Sequence, residues 1–137
     1  MSGVLVDAGP LVALLDRSDQ HHRACAEAAR GLRGPLVSVW PAVTEAMYLL
    51  AAAAEAQDAL WGMLAERAVV LAEIGLPDVP RLRELMRKYR NRPMDLADAA
   101  LVRVAEREHI HTIFTVNRSD FLVYRPSRSW RFSILPR

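Results

Sequence analysis

Asp7, Glu45 and Asp98 are the residues of this chain best placed to do chemistry together, because each carboxylate falls where an apolar strand ends or a helix begins. Three acids converging on one edge of a sheet would make a site for a hard divalent cation. Magnesium and manganese take oxygen ligands and keep several waters, so a few carboxylates and the oxygens of a phosphate complete the shell. The chemistry open to such a site is phosphodiester cleavage. Taken alone, Asp7 before Ala8, Gly9 and Pro10 reads better as a helix cap or turn residue. Glu45 follows Pro41 near a helix start, where an acid also complements the macrodipole. Asp95 and Asp98 share one side of a helix entrance. Asp95 reads as the N-cap, which leaves Asp98, at the third helical position, to turn into the pocket.

The elements that must position these acids alternate. Gly3 to Val6 is a short apolar run ended by Asp7, and a helix is expected to start near Pro10. A second helix is expected over Ser18 to Arg33, then a strand over Leu36 to Trp40 and a helix opened by Pro41 that carries Glu45. A helix over Ala54 to Glu66, a strand over Val69 to Leu71 and a helix over Leu76 to Tyr89 follow. Asp95 to His109 is the clearest helix, before a strand over Thr112 to Val116 and a candidate fifth over Arg131 to Leu135. This alternation predicts an α/β fold, a mostly parallel sheet of four to five strands flanked by helices in three layers. Ligands of such sheets collect outside the carboxyl ends of the strands, which is where Asp7, Glu45 and Asn117 would lie.

At 137 residues the chain is expected to be one domain, 1–137, with no repeat or linker. The lone cysteine, Cys25, cannot form an internal disulfide. The N-terminus lacks a basic stretch before an apolar one, and the longest apolar run, Ala46 to Ala54, is far shorter than the roughly 20 residues a membrane span needs. A cytoplasmic protein with no membrane association is expected. Net charge is only +2, yet basic residues gather at positions 81–92 and again from Arg118 to Arg137 around Asp120. That pattern suits a polyanion such as nucleic acid, although 17 arginines against one lysine also fit a compositional bias. No serine, cysteine or histidine pattern suggests a triad or a zinc site, and no glycine-rich phosphate loop is present. Asp16, Asp19, Asp58 and Asp78 read as caps or solvated residues. Tyr48, Trp61, Phe114, Phe121 and Phe132 read as core. Trp130 either packs beneath the last strand or stacks on a base.

Together these segments resemble the PIN-domain family and, within it, the VapC-type ribonuclease toxins of bacterial toxin-antitoxin modules. Val4 to Asp16 is similar to the family's first strand, first acid and following helix. Val43-Thr44-Glu45-Ala46 is similar to the second-acid segment, and Met94 to Leu101 to the third. Ile113 to Phe121 is similar to the strand followed by Thr-x-Asp and a nearby Phe, except that Asn117 stands where many relatives carry a fourth acid. Either the Asn117 amide or the Asp120 carboxylate is then the fourth oxygen donor.

The resemblance implies a metal-dependent endoribonuclease. Asp7 and Asp98 would hold Mg²⁺ or Mn²⁺, while Glu45 orients or deprotonates the attacking water. It also implies RNA as substrate, a homodimer, and a cognate antitoxin covering the acidic groove, with an apolar groove near Met47 to Leu64 as a seat for an antitoxin helix. One rival is a non-catalytic PIN scaffold that binds RNA or protein, which Asn117 favours. A second is a phosphohydrolase with Asp7 as nucleophile, disfavoured because no second Asp follows two residues on.

Overall fold

Val4-Leu5-Val6 and Thr112-Ile113-Phe114 are rich in β-branched and large apolar residues, the composition of short strands covered on both faces. The computed structural model describes residues 3–92, 94–126 and 130–137 and places these runs side by side. The strands are β1 (Val4–Val6), β2 (Leu36–Ser38), β3 (Val69–Leu71), β4 (Thr112–Phe114) and β5 (Ser133–Leu135). They form one sheet in the order β3-β2-β1-β4-β5, and every neighbouring pair is parallel. The sheet is thus wholly rather than mostly parallel. Its order reverses between β1 and β4, which makes their carboxyl ends the crevice where such folds bind ligands.

Among the described residues seven α-helices cover the sheet: α1 (Ala8–Leu15), α2 (His22–Arg30), α3 (Trp40–Leu49), α4 (Ala54–Ala65), α5 (Val79–Lys88), α6 (Leu96–Glu108) and α7 (Arg118–Val123). Side chains alternate across β1 and β4. Leu5 and Ile113 join a core with Leu85, Leu101, Val104, Phe121 and Tyr124 from α5, α6 and the α7 end. Val4, Val6 and Phe114 join a second core with Leu11, Cys25, Val43 and Leu60 from α1 to α4. These two cores make the three layers. Among the described residues no helix is long and apolar enough to cross a membrane.

The structure departs from the sequence reading at several places. Helix α1 begins at Ala8, ahead of Pro10, because the Asp7 side chain accepts a hydrogen bond from the Ala8 N–H and caps it. Helix α2 is shorter than expected, since Asp16 and Asp19 instead hold turns through Ser18 and His21. Trp40 does not extend β2; it opens α3, and its ring is exposed. Tyr48 and Trp61 are likewise exposed rather than core, whereas Phe114, Phe121 and Phe132 are buried as expected. Trp130 packs against His111 and Phe132. Asp78 is a cap, accepting from the Gly75 N–H, but it is buried rather than solvated and also accepts hydrogen bonds from Arg103 and Arg107. Helix α7 had no counterpart in the sequence reading. Within the C-terminal basic cluster, Arg128 lies outside the described residues.

Gly9 lets α1 leave β1 close to the exit of β4. A Cβ there would stand 2.4 Å from Val116 Cγ2, so Gly9→Ala is expected to cost about 1–3 kcal/mol through overpacking. Gly62, inside α4, has nothing within 4 Å of its Cβ direction, and Gly62→Ala should gain roughly 0.5–1 kcal/mol. Urea unfolding midpoints that moved in the same direction for both variants would contradict this packing.

Candidate active site

Three helices deliver the predicted acids to the carboxyl edge of the sheet. Asp7 follows β1 directly and is tied to β4, its N–H donating to the Phe114 carbonyl at 3.0 Å. Its carboxylate is almost wholly buried and both oxygens are engaged: Oδ1 accepts from the Ala8 N–H at 2.8 Å and Oδ2 from Thr115 Oγ1 at 3.2 Å. Thr115 Oγ1 in turn accepts from the Asn117 N–H at 3.0 Å, which shapes the loop after β4.

Asp95 is the N-cap of α6, accepting the Asp98 N–H at 2.8 Å, as the sequence spacing implied. Asp98, one turn inside, is buried, and its Oδ2 accepts a hydrogen bond from the Tyr124 hydroxyl at 2.9 Å. Glu45 lies on α3, which packs against both α1 and α6, and its side chain is largely exposed.

The acids feel one another. Burial, opposed by the Ala8 N–H and reinforced by the charge of Glu45, pushes the Asp7 carboxyl up to about 6. Burial and then the Asp7 and Asp95 charges push Asp98 up to about 7. Partial burial and Asp95 raise Glu45 as well. The edge therefore carries carboxylates with too little positive charge around them.

Convergence is not the same as a finished cage. Among the described residues no three His, Cys, Asp or Glu side chains are gathered closely enough to hold a metal ion as they stand. Two buried carboxylates with hard oxygen donors nevertheless suit Mg²⁺ or Mn²⁺, which commonly bind through one or two carboxylates and complete the shell with water and phosphate oxygens.

The fourth position is also resolved in part. Asn117 precedes α7, and its side chain caps nothing. Asp120, in the first turn of α7, forms an ion pair with Arg92 at 2.8 Å through Oδ1 and lies near enough to Asp98 for its charge to be felt there. Sequence reasoning missed Tyr124 and the Arg92–Asp120 pair. The signal was the helical spacing of Asn117, Asp120, Phe121 and Tyr124, legible only once α7 is recognised.

Comparison with known proteins fits this geometry. A family model described as PIN domain matches residues 4–124. The chain belongs to the PIN-domain family. It is 30% identical over 135 residues to Ribonuclease VapC26 of Mycobacterium tuberculosis, covering 97% of this chain and 100% of that protein. The crystal structure of Mycobacterium tuberculosis VapC20, a sarcin-ricin loop cleaving toxin, superposes with a TM-score of 0.76 at 16% identity, covering 85% of this chain and 93% of that one. That likeness establishes the fold. In this PIN domain β5 adds an edge strand beyond the matched stretch.

The raised carboxyls give the metal-free protein a pH dependence. Below about 3.8 Asp7 and Asp98 are protonated both folded and unfolded; between there and about 7 the folded state holds protons that the unfolded chain releases. Stability in EDTA should therefore fall as pH rises across that window. Asp98→Asn should remove much of the slope and raise the melting temperature at pH 8. A melting temperature in EDTA that the variant leaves unchanged at pH 8 would contradict the stated burial penalty.

Proposed function

We propose that this chain, acting as a single PIN domain over residues 1–137, is a metal-dependent endoribonuclease and the toxin of a toxin-antitoxin module. The observation that carries the reading is the pair of buried, mutually repelling carboxylates, Asp7 and Asp98, at the β1/β4 crevice beside Glu45. Its likeness to a VapC ribonuclease across nearly the whole chain supports RNA as the substrate.

Asp7 and Asp98 would hold Mg²⁺ or Mn²⁺. Bound there, the ion supplies charge stabilisation at the scissile phosphate and a more acidic water. The chain's own residues do the rest. Ala8 N–H and Thr115 Oγ1 fix Asp7, and Tyr124 engages Asp98, so both ligands are oriented before substrate arrives. Glu45, exposed to solvent and with a raised proton affinity, takes the proton of the attacking water. Exposed Arg83, Arg87, Lys88 and Arg90 draw the RNA backbone toward an otherwise acidic pocket.

The same reading places the protein in the cytoplasm as a homodimer controlled by a cognate antitoxin. Exposed Trp40, Tyr48, Leu49, Trp61 and Leu96 support a protein partner on the α3 side of the molecule. Apolar depressions lie on that side, one between Trp40, Trp61, Leu64 and β3 and another along Trp40, Pro41, Tyr48 and Leu96 beside Glu45. A second reading, a non-catalytic RNA- or protein-binding module, draws on Asn117 and on the lack of a preformed three-ligand cluster among the described residues.

Purified protein incubated with varied RNAs in Mg²⁺ or EDTA, with the cut ends mapped, separates the two. Mg²⁺-dependent cleavage is expected, and Asp7→Asn or Asp98→Asn should lower it roughly a hundredfold or more while circular dichroism stays native. RNA bound but left intact in Mg²⁺ would support the binding module instead, and full activity in either variant would reject the ligand assignment.

A further inference from the structure

Tyr124 is fully buried, as are Phe114 and Phe121, yet its hydroxyl faces an acid of the pocket rather than the core. The ring sits edge-on to Tyr89 at 5.0 Å and to Phe121 at 5.1 Å, and Phe121 is edge-on to Phe132 at 5.5 Å. The backbone beside it is pinned, because the Arg125 N–H donates to the Tyr89 hydroxyl at 3.1 Å. With the ring so held, the phenol oxygen is fixed beside Asp98 and its O–H donates to Asp98 Oδ2 at 2.9 Å.

The other carboxylate oxygen is left over. Among the described residues Asp98 Oδ1 takes part in no hydrogen bond and no buried side-chain oxygen lacks a partner, so Oδ1 is the oxygen left open toward the crevice. Tyr124 therefore fixes which oxygen of Asp98 is presented. It also ties α7, and with it the Asn117 loop at the exit of β4, to the first turn of α6.

We propose that Tyr124 is a positioning residue for the cation site, holding Asp98 Oδ2 through its hydroxyl so that Oδ1 alone faces the ion. This rests on the reading of Asp98 as a ligand. Outer partners of metal ligands orient them, and their loss typically weakens metal affinity about 10–100-fold. Tyr124→Phe keeps the ring and its packing and removes only the O–H, while Tyr89→Phe is the matched control, since the Tyr89 hydroxyl accepts from a backbone N–H and touches no acid.

The experiment titrates full-length wild type, Tyr124→Phe, Tyr89→Phe and Asp98→Asn with Mn²⁺, following free Mn²⁺ by electron paramagnetic resonance, with thermal unfolding in EDTA as the folding check. Tyr124→Phe is expected to weaken Mn²⁺ binding about tenfold or more, with Tyr89→Phe unchanged, and high Mn²⁺ should restore RNA cleavage to Tyr124→Phe. Wild-type affinity in Tyr124→Phe, or an equal loss in both tyrosine variants, overturns the positioning role. Should Asp98→Asn itself bind Mn²⁺ as wild type does, the ligand reading fails first; loss in Asp98→Asn with none in Tyr124→Phe sinks this inference alone.

Discussion

Everything at the functional edge follows from like charges being held together out of water. Asp7 cannot retreat, because its backbone N–H is bonded to β4 and its side chain is fixed by α1 and by Thr115. Asp98 cannot retreat either, since it lies inside the first turn of a helix whose next residues are core. Desolvation and repulsion then act on groups that have no room to relax, and both carboxyls respond by holding their protons to higher pH.

A third buried acid, Asp78, shows what the site withholds. Burial would raise Asp78, but the Gly75 N–H and the guanidiniums of Arg103 and Arg107 more than offset it and leave its carboxyl below the ordinary range. Arg81 extends the network to Glu106 and Glu84, so α5 and its preceding turn are clamped to the far flank of α6. One residue type thus meets opposite fates on two sides of α6. Where donors saturate the carboxylate it is structural, and where they are too few it is available to a ligand.

The sheet was legible from sequence because parallel strands buried on both faces are uninterrupted apolar runs, and Val69 to Leu71 matched to the residue. The acids were legible for a related reason. A strand-end Asp and two acids early in helices stand at fixed topological places, so alternation alone brings Asp7, Glu45 and Asp98 to one edge. What was hidden depends on contacts distant in sequence. The partners of Asp78 are 25 and 29 residues away, and Arg92 meets Asp120 across 28. Tyr48 and Trp61 read as core because aromatic character is indifferent to which side of a helix faces outward, and only the packing of α3 and α4 decides it.

Asn117 fits this electrostatic frame better than an acid would in the absence of an ion. The crevice already gathers Asp7, Glu45, Asp95 and Asp98, and Asp120 adds a further upward push on Asp98 despite its pairing with Arg92. Another carboxylate at the end of β4 would deepen repulsion among groups that burial has stripped of solvent. An amide offers an oxygen without a charge. The pocket keeps the geometry of an oxygen-lined edge while lowering the electrostatic cost of being folded and empty, and the price is a smaller capacity to balance positive charge.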